Sequence, residues 1–248
     1  MYAWLALLGC GLEPYGYDPE VGVNKDVDRG GPVHSYVYPS DSDDRIILYA
    51  GHGGNRLTSR DSVVQRWADD GWTVDTYDDW PEDFDRARLV IMTNVGNRAN
   101  GGMFDAEQSE QMLEALSNGT RIAFAQRSEA CSSMTVFDVL EDALGSPIVF
   151  SGNAISGETP VVYGSLAASS QPTNGVSSLE LTAPCVISTT VDEQILVSDG
   201  SGSAVVASHR PGDAGDIVLL GDMMMLSDLG QEHTGNQTFA RNLAAVVP

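Results

Sequence analysis

Three short runs in this chain carry a wholly or almost wholly apolar core and stop at a turn residue. Ile46-Ile47-Leu48-Tyr49-Ala50 runs into Gly51-His52-Gly53-Gly54, Leu89-Val90-Ile91-Met92-Thr93 into Asn94-Val95-Gly96-Asn97, and Asp216-Ile217-Val218-Leu219-Leu220 into Gly221-Asp222. Runs of this length without polar alternation are strands buried on both faces, which only a helix-covered sheet provides. Trp72 to Tyr77 and Arg121 to Ala125 supply two more strands. Helical spacing fills the gaps. Ser59 to Asp70 places Val63, Val64 and Trp67 on one face and stops at Gly71. Asp105 to Asn118 opens with Asp105 as cap and Gln108 three residues on, with Met112, Leu113 and Leu116 as its apolar face. Thr135 to Leu144 and Gly235 to Val247 are further helices, the last facing the core through Phe239, Leu243 and Val246. The order β-α-β-β-α-β-α predicts an α/β domain with a mainly parallel sheet. Residues 147–210 break that rhythm. Short strands at Val161–Tyr163, Ser178–Leu181, Val186–Ser188, Gln194–Val197 and Ala204–Ser208 lie between Gly, Ser, Asp and Pro turns. That spacing predicts an antiparallel β insertion.

Charge removes several classes of partner. Asp and Glu number 35 against 13 Lys and Arg, a net charge of -22, and Lys25 is the only lysine. Such a chain repels nucleic acid and anionic lipid. With 42% hydrophobic and 19% charged residues it has the composition of a folded domain.

Met1 to Leu12 is apolar, uncharged and too short to span a bilayer. It fits a secretory signal, and Leu7-Leu8-Gly9-Cys10 resembles the lipobox of bacterial lipoproteins. That resemblance implies a signal peptide over 1–9, lipidation of Cys10, and a place in the bacterial cell envelope. Gly11 after Cys10 is compatible with the outer membrane. No Lys or Arg precedes the apolar run, which departs from the family pattern. Residues 10–44 read as an acidic flexible tether, with Pro14, Pro19, Pro32 and Pro39 and no apolar period. Asn24, Asp26 and Asp28 imitate a calcium loop, but Arg29 and Ser35 occupy its glycine and glutamate positions.

The segments Arg45–Asn55, Asp69–Asp79, Arg86–Asn94, Ser117–Ala125, Gly215–Met224 and Gly235–Val247 together resemble the class I glutamine amidotransferase-like superfamily. The strand, Gly221-Asp222 and the Asn-led final helix resemble its non-amidotransferase branch. That branch includes the extracellular domain of gliding-motility transporter subunits and the N-terminal domain of an intraflagellar-transport protein. A sugar-utilisation branch with a Gly/His-rich first loop is the second candidate. The resemblance spans about Arg45 to Val247 and implies a Rossmann- or flavodoxin-like three-layer domain over 45–248.

The catalytic pattern of that superfamily is missing. Its nucleophile stands in Gly-x-Cys-x-Gly directly after a strand, whereas Cys131 follows Ala125 by six residues, in Glu129-Ala130-Cys131-Ser132-Ser133. Its His-x-Glu pair is replaced by Glu232-His233-Thr234. No Gly-x-Ser-x-Gly and no phosphate-loop lysine occur, so no cofactor, metal or catalytic residue is expected. Ligands of open α/β sheets bind outside the carboxyl ends of the strands. There the sequence places His52, Gly53, Gly54, Asn55, Asn94, Asn97, Asp222 and His233 as candidate binding residues. His52 is equally readable as a local hydrogen-bonding group in a tight turn, and Asp222 as a cap. The expected function is a lipid-anchored extracytoplasmic binding or interaction module. Its partner is a small polar ligand, a glycan or an envelope protein, and the membrane is met only through the lipid. The alternative is a hydrolase or sugar-processing enzyme using His52 and Asp222. Cys131 and Cys185 remain once Cys10 is lipidated, either as a disulfide or as two packed thiols.

Overall fold

The computed structural model describes residues 17–18, 23–24, 44–54, 56–57, 59–96, 102–156, 161–166, 172–189, 191, 194–212 and 215–245. Cys10, Asn55, Asn97 and Val246 lie outside them. Two short strands, β1 (Tyr17–Asp18) and β2 (Val23–Asn24), pair antiparallel in the segment read as a tether. The domain then runs β3 (Arg45–Tyr49), α1 (Asp61–Asp69), β4 (Thr73–Tyr77), β5 (Leu89–Thr93), α2 (Ala106–Ser117), β6 (Arg121–Ala125) and α3 (Met134–Asp138). It continues through β7 (Ile148–Ala154), β8 (Val161–Leu166), β9 (Leu179–Thr182), β10 (Cys185–Thr189), β11 (Ile195–Ser198), β12 (Ala204–His209), β13 (Asp216–Leu220) and α4 (Thr234–Ala244).

The fold is mixed α/β. Five parallel strands stand in the order β4-β3-β5-β6-β13, and antiparallel strands extend the same sheet beyond β13 through β12, β11, β8 and β9. β10 pairs with β12 and carries β7. The parallel order is the flavodoxin one, in which the chain reverses direction between its first and third strands, here β3 and β5. Successive residues of each strand face opposite layers. Ile46, Leu48, Leu89, Ile91 and Val218 pack with Val63, Val64 and Trp67 of α1 and Phe239, Ala240 and Leu243 of α4. Ile47, Val90, Ile122, Phe124 and Ile217 pack with Met112, Ala115 and Leu116 of α2 and Val136, Val139 and Leu140 around α3. The buried Trp67 indole donates to Ala240 O at 2.9 Å, which joins α1 to α4.

The amino edge of the sheet is closed by buried arginines. Arg45 at the start of β3 pairs with Asp75 at 2.6 Å, with Asp83, and with the Tyr77 hydroxyl. Arg121 at the start of β6 pairs with Asp216 at 2.7 Å and donates to Leu243 O at 2.7 Å at the end of α4. These charges belong to the scaffold.

Three local features differ from the sequence reading. The helix from Thr135 becomes α3 followed by a wider π turn at Val139–Ala143. β7 is an additional strand. Leu113 is exposed, because Met112, Ala115 and Leu116 already fill the inward face of α2.

Candidate functional site

The expected site is the crevice between the carboxyl ends of β3 and β5. Two non-glycine residues there hold left-handed backbone, His52 at φ 51° and Asn94 at φ 53°. Strain of this kind persists only where surrounding contacts impose it. Here the contacts are the two loops themselves. The Gly96 N–H donates to His52 O at 2.9 Å, and Gly54 N–H to Gly51 O at 2.9 Å. A Cβ on Gly54 would stand 2.6 Å from Thr93 O, and one on Gly51 would stand 2.5 Å from Asp78 O. Backbone packed on backbone explains these glycines, and the described parts of the two loops are hydrogen-bonded to each other.

The His52 ring is tied at both nitrogens. Tyr49 Oη lies 2.5 Å from Nδ1 and Gln108 Oε1 lies 3.1 Å from Nε2. The same Gln108 oxygen accepts from Asp105 N at 3.0 Å, as part of the capping box that opens α2. With Gln108 Oε1 accepting, Nε2 carries the proton and the Tyr49 hydroxyl donates to Nδ1. Burial holds the Tyr49 phenol neutral and pulls the His52 pKa down, so the chain of donors is stable at neutral pH. Phe104 covers the imidazole at 4.1 Å between ring centres. Trp80 meets Tyr49 edge-on at 5.4 Å and stacks on buried Phe84 at 4.5 Å. A general base needs a free lone pair, and the one on His52 is occupied. Tyr49, Gln108, Phe104 and Trp80 are the residues the sequence reading missed. The only signal was a Tyr three residues before His52 and the capping-box Gln.

The other strand ends form a separate polar cluster. Buried Asn94 accepts from Arg127 N at 3.0 Å and donates to Glu129 Oε1 at 3.4 Å. Arg127 and Glu129 pair at 3.6 Å. Asp222 is buried after β13, where it accepts from Thr182 N at 2.6 Å and Met224 N at 2.8 Å. It thereby fixes the end of β9 and caps the turn that follows. Its strand stands three places from β3, about 14 Å at the usual spacing. His52 and Asp222 therefore do not converge on one reacting atom. His233 caps α4, accepting from Gln237 N at 3.1 Å through its backbone carbonyl.

Burial pushes Asp222 up to about 6, with Thr182 and Met224 N–H and Arg127 pulling the other way. The native state thus keeps a proton that an unfolded Asp releases near 3.8. The group's contribution to stability is full below about pH 4 and is lost as pH rises through about 6. Asp222→Asn removes this dependence and sets an amide NH2 against one backbone N–H, at a cost of about 1–3 kcal/mol. Urea unfolding at several pH values checks it: the gap between wild type and variant is widest in acid and narrows toward neutrality. A constant gap refutes the assignment.

At the starts of α1, α2 and α3 the anion-binding potential is taken up internally. Ser62 N of α1 donates to Asp228 Oδ1 at 2.7 Å, Asp105 caps α2, and Ser133 caps α3. A phosphate would have to displace carboxylates at the first two. Among the described residues no group of three His, Cys, Asp or Glu side chains is placed to hold a metal ion, and no helix is long and apolar enough to cross a membrane. A cavity of about 540 Å³ is lined by Tyr77, Glu82, Asp83, Asp85 and Arg86, a lining that disfavours anions. Cys131 and Cys185 are bonded to each other, with Cα atoms 5.3 Å apart. While bridged, Cys131 has no thiol to act as nucleophile.

No protein-family model and no curated protein sequence matches the chain. Solved structures do. The "mmIFT52 N-terminal domain" superposes with a TM-score of 0.61 at 15% identity, over 79% of this chain and 97% of that one. The cytoplasmic protein STM3548 from Salmonella typhimurium gives 0.58 at 9% identity, over 81% and 97%. The exo-beta-1,4-mannosidase Op5Man5 from Opitutaceae bacterium strain TAV5 gives 0.50 at 14% identity, over 82% of this chain and 36% of the enzyme. At these identities the likeness concerns the fold.

Proposed function

We propose that this chain is a lipid-anchored, extracytoplasmic interaction module, built on an amidotransferase-like scaffold without the Cys-His-Glu triad. The observation that supports it is the mutual engagement of the β3 and β5 strand ends, where Gly96 N–H binds His52 O and both His52 nitrogens are hydrogen-bonded. Strand-end groups spent on one another leave the outer surface as the part that meets a partner. The disulfide fits an oxidising compartment. The Leu7-Leu8-Gly9-Cys10 segment supplies the anchor and residues 10–44 the reach. A bacterial envelope protein, a glycan or a small polar ligand is then the partner.

Two measurements test the reading. Cys10→Ser moves the full chain from the membrane fraction to the soluble one; retention in the membrane sinks the anchor. Assays of the full chain on glycosides, amides, esters and phosphate esters find no turnover dependent on its strand-end residues. Activity that vanishes in both His52→Ala and Asp222→Asn would establish an enzyme instead.

A further inference from the structure

The two helical layers differ sharply in charge. On the α1/α4 side Arg60, Arg66 and Arg241 offset Asp61, Asp69 and Asp70, and Arg241 pairs with Asp70 at 2.9 Å. On the α2/α3 side Glu129 pairs with Arg127, but residues 102–120 and 130–147 hold Asp105, Glu107, Glu110, Glu114, Asp138, Glu141 and Asp142 without a single Lys or Arg. Among the described residues Glu107, Glu110, Glu141 and Asp142 are exposed and enter no ion pair. The same layer exposes large apolar side chains: Met134 at 63%, Met103 at 47%, Leu113 at 44% and Phe137 at 38%. Met103 Sδ lies 3.5 Å from Thr135 Oγ1, which places it against the first turn of α3. Met134 and Phe137 are three residues apart on one helix and share its face. The layer thus exposes both large apolar side chains and carboxylates that enter no ion pair among the described residues.

We propose that the α2/α3 layer docks a cationic amphipathic segment of a partner protein, the apolar face of the segment on Met103, Met134 and Phe137 and its Lys or Arg residues on the carboxylates. The proposal rests on the reading of the domain as an interaction module. Unbranched methionine adapts to apolar partners of different shape, and burying these side chains removes water from around the ion pairs, which strengthens them. Charge complementarity selects the occupant. A second copy of a chain with net charge -22 is repelled, as are nucleic acid and anionic bilayers. A neutral apolar segment would leave the carboxylates unused.

The probe is a labelled Leu/Lys helix of about 18 residues, about five turns, with leucine on one face. Its binding to the full chain is followed by fluorescence anisotropy. Oligolysine of equal charge and a Leu/Glu helix of equal length are the controls. The Leu/Lys helix binds, and its affinity falls as salt is raised from about 50 to about 300 mM. Met134→Ser with Phe137→Ser weakens it by about tenfold or more. Glu107→Gln with Glu110→Gln, Glu141→Gln and Asp142→Asn weakens it and flattens the salt dependence. Asp69→Asn, on the opposite layer, changes nothing. All these positions are on the surface, and a thermal melt of each variant verifies folding. Absence of binding, equal binding of oligolysine, or indifference to Met134 and Phe137 overturns the proposal. None of these outcomes touches the module reading, which falls only if the turnover assays find an enzyme.

Discussion

Reducing the Cys131–Cys185 bond lowers the unfolding midpoint by roughly 8–16 °C. The two cysteines are 54 residues apart in sequence. Releasing a loop of that length returns about 4 kcal/mol of chain entropy to the unfolded state, and a domain of this size shifts by about 2–4 °C per kcal/mol. The bond joins the segment after β6 to β10, a strand held otherwise by β7, by a single register pair to β12 and by a Cys185 N–H bond to Gly221 O at 2.7 Å. Both sulfurs are shielded, Cys185 completely, so reductant acts through transient opening and the reduced state forms slowly. Calorimetry with and without reductant, alongside thiol counting, measures the shift. Cys131→Ala with Cys185→Ala shows the same loss and no further response to reductant. A fully reduced wild type with an unchanged midpoint contradicts the assignment.

Arg121→Met costs about 3–5 kcal/mol, the range for stranding one partner of a buried ion pair. It leaves Asp216 without its cation and Leu243, Asn242 and Ala245 carbonyls without their shared donor at the end of α4. Arg121 and Asp216 stand side by side at the starts of β6 and β13, with Arg121 buried and Asp216 largely so. Arg121→Met combined with Asp216→Leu recovers much of the loss, because no buried charge remains. Urea unfolding of the two single variants and the double variant gives the coupling. Additive single losses would show that the pair acts as two independent side chains.

The parallel half of the sheet was legible because burial on both faces leaves an unbroken apolar signature, as in Ile46 to Ala50 and Leu89 to Thr93. α2 was legible from Asp105 and Gln108, which form the expected reciprocal cap. β7 was not. Its apolar run stops after three residues, Ser151, Gly152 and Asn153 face solvent before Ala154, and Gly152 sits at φ 81°. The π turn after Asp138 was hidden for another reason: its extra residue leaves Val139 and Leu140 inward, so the apolar spacing still reads as helix. At the site, the positions of His52, Asn94 and Asp222 at strand ends followed from the sequence, but their partners did not. His52 is held by a residue 56 positions away, and Asp222 by Thr182, 40 positions away. Spacing reports local periodicity and carries no trace of such meetings. The capping reading of Asp222 needed only the glycine before it.

The place of β13 governs how the chain must be made. Its ladders to β6 and β12 are the link through which the parallel half and the antiparallel half become one sheet. Arg121 waits 95 residues for its neighbour Asp216, and contacts of that span slow the search for the native topology. Until Asp216–Leu220 has emerged, β6 and β12 each present a bare edge of unpaired backbone groups, the pattern that recruits strands from other chains. A nascent chain in this interval is exposed to intermolecular pairing on two fronts.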